Sequence, residues 1–283
     1  MTRPRALVEV ADGIHVATSS VYATTTTVVE RDGRCLVVDP AVTAREVEAL
    51  DAALRARGWR PVAVWSTHPH WDHLLDAPGL HDVVRWAAAA PDDGWRAAAT
   101  RQRDADPELA AHLAAHPQDE PAVITTRAPA PFPRDDEGDD GWHRLDWDGP
   151  HVRVLTHDAH SPGHTALAVV NAGVLVAGDM LSDVEVPLVD TDRAAPVEHH
   201  LAVLDRVEAG ARRYGAHRVV PGHGGVGGTG STLARVAADR AYLTGPDGPR
   251  DDDLRLGPGA PAWLRAAHRE QRAALVTSRT MGG

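Results

Sequence analysis

The six residues His68 to His73, with the sequence HPHWDH, place three histidines and one aspartate directly after an apolar segment. That segment, Pro61 to Trp65, predicts a buried strand because it is short, apolar and bounded by polar residues. Open α/β sheets place their sites at the carboxyl ends of such strands. Neutral imidazole and carboxylate suit Zn²⁺, and also Mn²⁺ or Fe²⁺, at roughly 2.0–2.2 Å. The string therefore predicts a metal site at the edge of a sheet.

Six residues cannot supply all the ligands of two metal ions, so further ligands must come from elsewhere in the chain. Three candidates stand in similar settings, since each follows or ends an apolar run. They are His164 in SPGHT, Asp179 in VLVAGDM and His223 in VVPGHGG. A single histidine is more often a surface or core residue than a ligand. The complete set of motifs favours metal ligands over unrelated histidines.

The four motifs HxHxDH, PGHT, GD and PGH, in this order, resemble those of the metallo-β-lactamase superfamily of metal-dependent hydrolases. The resemblance runs from about Val8 to His223. It implies an α/β fold, a four-layer αββα sandwich, within a single domain over residues 1–283. A helical and loop insert is expected at about 83–145, and a C-terminal helical extension at 224–283.

The resemblance also implies a ligand set. His68, His70 and His164 would bind the first metal, and Asp72, His73 and His223 the second. Asp179 would bridge the two. The remaining histidines lack ligand spacing, although His160 is close enough to His164 to be an outer partner of the site.

The chemistry expected of such a site is hydrolysis. Two metal ions roughly 3.5–4 Å apart share a solvent molecule that is largely hydroxide at neutral pH. Our hypothesis is that this hydroxide attacks the carbonyl of a small-molecule ester, lactone, thioester or lactam, and that Asp72 is a catalytic residue that orients it. Two Zn²⁺ per chain are expected, with Fe²⁺ or Mn²⁺ as the alternative.

Two other functions stay open at this point. Persulfide dioxygenases of the same superfamily bind a single iron with a similar motif set, so an iron enzyme is one alternative. A metal-binding domain without catalysis is the other, and the complete ligand set argues against it. Within the hydrolases, Tyr22 or Tyr214 could stabilise an oxyanion, but no motif distinguishes them.

The apolar segment after Asp179 runs from Met180 to Leu188 and begins beside the expected metals. It is predicted to line the substrate pocket, with Leu181 and Val186 as substrate-binding residues.

Composition excludes several other classes of protein. The net charge of −11 argues against a nucleic acid partner. The chain contains no lysine, so any cationic role must fall to arginine.

No signal peptide is evident, and the longest apolar stretch, Ala166 to Gly178, is too short to span a membrane. A cytoplasmic protein without membrane association is expected, and a homodimer is possible through the last helix.

Local patterns predict most of the helices. Thr43 and Glu46 form a capping box before a helix that ends near Gly58. Helices are also expected at Val83 to Arg103, Pro107 to His116, Val197 to Tyr214, Ser231 to Leu243 and Ala262 to Leu275. Pro129 to Gly141 is expected to be a loop.

Overall fold

The computed structural model describes residues 6–137, 141–246 and 248–281, with the side chains of 135–137 and 277–281 left out of the description. In chain order, the strands are β1 Val8–Ala11, β2 Ile14–Thr18, β3 Thr25–Arg31, β4 Arg34–Val38, β5 Arg60–Trp65, β6 Leu75–Asp76, β7 Arg85–Ala87, β8 Val123–Ile124, β9 Ala130–Pro131, β10 Arg134–Glu137, β11 Trp142–Leu145, β12 Val152–His157, β13 His164–Val169, β14 Val174–Val176 and β15 Arg218–Val220. The α-helices are α1 Ala44–Ala56, α2 Trp95–Asp104, α3 Pro107–Ala115, α4 Pro196–Arg213, α5 Ser231–Leu243 and α6 Ala262–Met281.

Two large mixed sheets form the centre of the fold. Among the described residues, the first sheet has the order β1-β2-β3-β4-β5-β7-β9 and the second the order β10-β11-β12-β13-β14-β15. Strands β4, β5, β7 and β9 run parallel to one another, as do β14 and β15. The other neighbouring pairs are antiparallel. A separate pair, β6 and β8, lies outside both sheets.

The inner faces of the two sheets pack on each other. Leu36 and Trp65 from the first sheet and Val154 and Leu167 from the second belong to one buried cluster. This alternation of inward apolar residues is what a sheet needs to bury one face against another. The shared core fixes the two sheets relative to each other, so the strand ends that meet at one edge have defined positions.

Helices cover both outer faces. Leu50 and Leu54 of α1 pack with Val37 and Val64 on the first sheet. Val203 and Leu204 of α4 pack on the second sheet with Leu175 in a further cluster, which also includes α5. The layers are therefore helix, sheet, sheet and helix, the αββα sandwich that the family resemblance implied.

Helix α1 begins with the predicted capping box. The Thr43 side chain accepts from the backbone N–H of Glu46, and the Glu46 carboxylate accepts from the backbone N–H of Thr43 at 3.0 Å. Two of the unpaired amides at the helix start are satisfied in this way.

The segment from 83 to 145 is only partly helical. Arg85–Ala87, expected to be helical, is strand β7 and pairs with β5, and part of the expected loop forms β9 and β10. Trp86 lies on β7 and packs against the core between the sheets. The alanine-rich composition around β7 favours helix, but pairing with β5 makes Arg85–Ala87 a strand.

The C-terminal helix α6 packs on the rest of the chain. Leu264 and Leu275 are buried with Val186 and Val197, and Gln271 accepts from the backbone N–H of Val189 at 2.7 Å. This contact brings Trp263 to the site described below. In the described ranges, no helix is both long enough and apolar enough to cross a membrane.

Candidate metal centre

The side chains of the centre follow the ends of strands at a common spacing. His68, Asp179 and His223 each stand three residues beyond the last residue of a strand, β5, β14 and β15 respectively. His160 stands three residues beyond β12. The packed sheets bring these strand ends to one edge, where the short helix Trp71–His73 adds two more donors.

The first group of donors comprises His68, His70, His160 and Asp179, whose ligand atoms all lie within 4.8 Å of one another. His70 Nδ1 lies 2.9 Å from His68 Nε2 and 3.2 Å from His160 Nε2. Asp179 Oδ2 lies 3.3 Å from His68 Nε2 and 3.5 Å from His160 Nε2. Three imidazoles and one carboxylate oxygen therefore converge on one point.

The second group comprises Asp72, His73 and His223, which meet the same distance limit. Asp72 Oδ2 lies 3.4 Å from both His73 Nε2 and His223 Nε2. Asp179 also reaches this group, with Oδ1 at 3.2 Å from His73 Nε2 and Oδ2 at 3.1 Å from His223 Nε2. The Asp179 carboxylate thus lies between the two groups.

Two buried atoms of the centre have no hydrogen-bond partner among the described residues, His73 Nε2 and Asp179 Oδ1. A buried polar atom without a partner costs free energy, so such atoms are rare unless a ligand satisfies them. Both face the interior of the donor cluster. Their position fits a cation between them.

The protonation of the first group also fits a metal ion. Burial lowers the pKa of His68 and His160, and lowers that of His70 to about 4, so each imidazole is neutral at pH 7. Burial raises the pKa of the Asp179 carboxyl, but the adjacent His223 and His73 outweigh it and hold that pKa well below its usual range. Neutral imidazole and ionised carboxylate are the forms that bind metals.

The second group carries more negative charge around its histidines. Burial lowers the pKa of His223, but Asp179 and Glu185 outweigh it and raise the value to about 10. Burial also lowers the pKa of His73, but the carboxylates of Asp179, Asp72 and Asp39 outweigh burial and raise that pKa well above its usual value. These carboxylates favour a cation at the second group.

Four of the five converging histidines have their other ring nitrogen placed against an oxygen of the protein, as metal-binding histidines commonly do. The pairs are His68 Nδ1 with Thr67 Oγ1 at 3.0 Å, His73 Nδ1 with Asp39 Oδ2 at 2.8 Å, His160 Nδ1 with the Leu188 carbonyl at 2.8 Å, and His223 Nδ1 with the Tyr22 carbonyl at 3.3 Å. When the only ring proton is on those nitrogens, the nitrogens that face the cluster have free lone pairs for a metal.

His164, which the sequence assigned to the first metal, lies behind the centre instead. Its Nε2 accepts from the backbone N–H of Asp179 at 2.9 Å, and its Nδ1 lies 3.1 Å from His157 Nε2. Both ring nitrogens are therefore engaged within the protein, and neither is left for a metal. The structure brings His160 into the cluster in its place.

The sequence held a signal for this difference. His164 is the first residue of β13 and pairs with His157 on β12, whereas His160 lies in the loop between the two strands. His160 has the same spacing from its strand as His68, Asp179 and His223. The three-residue spacing from the strand end therefore identifies His160, and not His164, as the candidate ligand.

Asp39, which directly follows β4, contacts the residues of the centre although no sequence motif marks it. Its Oδ1 accepts from the backbone N–H of Thr67 at 2.9 Å. Its Oδ2 accepts from Thr67 Oγ1 at 2.7 Å and lies 2.8 Å from His73 Nδ1. Asp39 is buried and therefore fixes both the histidine loop and the orientation of His73.

Replacing Asp39 by asparagine is expected to weaken metal binding by about 10–100-fold, the range for outer partners of metal ligands. An amide keeps the size of the carboxyl group but cannot accept at both of its atoms. Asn also tolerates the positive φ of 49° at this position. Competition with a chromophoric chelator measures the affinity.

Asp32→Asn is the matched control, because Asp32 also has a positive φ of 53° but its side chain is 91% exposed. Equal metal affinities for the two variants would contradict the role of Asp39.

Close packing explains the glycines of two motifs. A Cβ at Gly178 would lie 2.5 Å from the His164 ring, and φ is +55° there. A Cβ at Gly222 would lie 2.0 Å from Asp179 Oδ1. Only glycine fits at these two points. A side chain at either one would displace the His164 ring or the Asp179 carboxylate.

The substitution Gly222→Ala is expected to displace the Asp179 carboxylate and lower the metal content of the purified protein. Gly228→Ala is the control, since a Cβ there meets nothing within 4 Å. Elemental mass spectrometry measures both. Full metal content in Gly222→Ala would show that Asp179 need not occupy the observed position.

An open cleft of about 330 Å³ lies over the two donor groups. Its lining includes His70, Asp72, His160, Asp179 and His223 from the centre. The side chains around them are Tyr22, Trp71, Gln102, Ala105, Asp106, Pro107, Glu185, Leu188 and Trp263. A substrate bound here would contact the centre directly.

The structure does not place Leu181 or Val186 in this cleft. Leu181 is 1% exposed and packs with α4 and α5, while Val186 is 2% exposed and packs with α6. These apolar side chains turn inward because the helices offer them a dry surface. The same segment presents Glu185 and Leu188 to the cleft instead.

The structure separates the two candidate tyrosines. Tyr22 lines the cleft, and its hydroxyl donates to the Asp106 carboxylate at 2.8 and 2.9 Å. Trp71 Nε1 donates to the same carboxylate at 3.2 Å. Tyr214 packs against Trp142 at the end of α4, and is not among the residues that line the cleft.

Comparison with known proteins agrees with this geometry. The sequence profile of the metallo-beta-lactamase superfamily matches residues 20–223, which is most of the chain. The chain therefore belongs to the metallo-beta-lactamase superfamily, as its motifs suggested. No curated protein matches the sequence.

Solved structures share the fold at low sequence identity. A metallo-beta-lactamase family protein from Thermus thermophilus is 22% identical with a TM-score of 0.60, over 98% of this chain and 95% of its own. A metallo beta lactamase from Erythrobacter litoralis is 15% identical with a TM-score of 0.55, over 86% of this chain and 99% of its own. At these identities the likeness concerns the fold.

Proposed function

We propose that this chain is a metal-dependent hydrolase with two zinc ions. His68, His70 and His160 would hold the first ion, and Asp72, His73 and His223 the second. Asp179 would be shared between them. The observation that carries this proposal is the Asp179 carboxylate, which faces both groups and whose buried Oδ1 has no hydrogen-bond partner among the described residues.

The donor set favours Zn²⁺ and other first-row divalent ions. Five imidazoles and two carboxylates, with no thiolate, suit Zn²⁺ and related first-row ions better than Mg²⁺ or Ca²⁺, which prefer oxygen ligands. Two such ions, when bound, supply a water molecule of lowered pKa and a Lewis acid for a carbonyl oxygen. This chemistry needs no serine or cysteine nucleophile.

The residues of the chain have distinct tasks in this scheme. Asp72 lines the cleft beside the second group, and we assign it the catalytic role of orienting the attacking water. Its carboxylate can do so because His73 and His223 outweigh the effect of burial and hold its pKa below the usual range. Asp39 and Thr67 position the histidine loop.

The bond hydrolysed would be an ester, lactone, thioester or lactam. The test is a panel of these four substrate classes, assayed with the purified protein before and after treatment with a chelator. We expect hydrolysis of at least one class, its loss with the chelator and its return with added Zn²⁺. Metal-containing protein that hydrolyses no member of the panel would contradict the proposal.

A further inference from the structure

A second cleft, of about 510 Å³, adjoins the one over the metal centre. Tyr22, Glu185 and Trp263 line both. The rings of Tyr22 and Trp263 form an edge-to-face pair with centroids 4.9 Å apart. These two rings therefore stand at the junction, and a ligand that extends past them from the metal centre enters the second cleft.

Apolar side chains at the surface distinguish the second cleft. Leu254 is 95% exposed and Val184 is 42% exposed, and both line it together with Trp263 and two prolines, Pro258 and Pro261. Scattered exposed leucines are ordinary, but several apolar groups in one concave surface mark a binding site. A ligand that covered Leu254 would remove apolar surface from water.

Outside the metal centre, the described residues that line the two clefts offer no free cation to an anionic ligand. The chain has no lysine, and none of the described residues that line the metal-centre cleft is an arginine. Arg255 lines the second cleft but is already paired with two carboxylates, Asp239 at 2.5 Å and Asp253 at 2.9 Å.

The other charged side chains of the two clefts, outside the metal centre, are acidic. Glu108 lines the second cleft and Asp106 lines the first, while Glu185 lines both and has its pKa raised to about 7 by burial. An anionic group on a ligand would meet repulsion at these carboxylates without a compensating partner. The clefts therefore select against carboxylate, phosphate and sulfate groups on the part of the ligand that lies beyond the metal centre.

We propose that the second cleft binds an uncharged apolar arm of the substrate while the reacting carbonyl lies over the metal centre. The preferred substrate is then a neutral ester, thioester, lactone or lactam with a hydrocarbon chain or ring. This inference rests on the proposed function for the reaction, and on the second cleft for the choice of substrate.

The test uses 4-nitrophenyl esters with acyl chains from acetyl to decanoyl. The expected kcat/KM rises about three- to fourfold for each methylene that enters the second cleft. An ω-carboxylated octanoyl ester is expected to be about tenfold poorer than the neutral ester. A flat profile across chain length, or equal rates for the neutral and carboxylated esters, would overturn the inference.

The variant Leu254→Asp tests the location. It is expected to lower the ratio of kcat/KM for the octanoyl ester to kcat/KM for the acetyl ester about tenfold, the equivalent of roughly two buried methylenes. Val8→Asp, at a 56% exposed valine on β1 that lines neither cleft, is the matched control. Equal effects of the two variants would overturn the inference.

Binding of 1-octanol, measured by calorimetry, separates this inference from the proposed function because it requires no reaction. We expect wild type and Val8→Asp to bind 1-octanol and Leu254→Asp to bind it about tenfold more weakly. If no ester is hydrolysed but this pattern is found, the proposed function fails and the apolar site stands. If 1-octanol binds equally to all three proteins or to none, the apolar site fails.

Discussion

The variant Asp179→Asn is expected to lose most of its bound metal and its hydrolytic activity together. The loss should exceed the roughly 10–100-fold that outer partners of metal ligands contribute, because Asp179 would bind both ions. Asparagine keeps one oxygen but removes the negative charge, and its amide N–H₂ is a donor that cannot bind a cation. Either orientation of the amide removes a ligand from one donor group.

Metal content by elemental mass spectrometry and the rate with the best substrate of the panel measure this effect. Asp183→Asn is the matched control: Asp183 lies on the same segment, is 44% exposed and accepts from the backbone N–H of Gly225 at 2.8 Å. Asparagine can keep that bond through its oxygen. A fully metallated and active Asp179→Asn protein would refute the shared carboxylate.

The comparison of His160→Ala with His164→Ala has the second largest expected effect. Removing His160 takes a ligand from the first group, so metal content should fall towards one ion per chain and activity should fall with it. Removing His164 leaves every converging donor in place. It deletes a buried ring that accepts from the Asp179 amide, so the expected effect is mainly on stability, by about 2–5 kcal/mol from the cavity and the lost bond.

Thermal unfolding and metal content, measured on both variants, separate the two roles. We expect His164→Ala to unfold at a lower temperature than His160→Ala, but to keep most of its metal below its unfolding temperature. We expect His160→Ala to bind less metal than His164→Ala. Loss of metal only in His164→Ala would restore the ligand assignment that the sequence motif alone suggested.

Much of the fold could be predicted because its signals are local. The capping box at Thr43 marks the start of α1, and the bounds of α5 agree with the expected segment Ser231 to Leu243. The histidine and aspartate motifs follow apolar strands, so they were recognisable without any knowledge of the sheet order. These signals depend on neighbours in sequence, which a linear pattern records.

The features that could not be predicted depend on contacts between distant segments. Strand β7 lies in a run whose composition favours helix, and only its pairing with β5 makes it a strand. Tyr22 and Trp263 come from opposite ends of the chain, and their contact over the metal centre has no local pattern. Leu181 and Val186 could be identified as apolar, but the side they face depends on helices that follow much later.

Elemental mass spectrometry of the purified protein, expressed without added metal, measures how many metal ions the centre holds. We expect about two zinc ions per chain, because there are two donor groups and one shared carboxylate. About one iron per chain would contradict the dinuclear zinc centre and point to the oxygen-dependent alternative. Protein that binds no metal, even when Zn²⁺ is supplied, would contradict a metal centre of any kind.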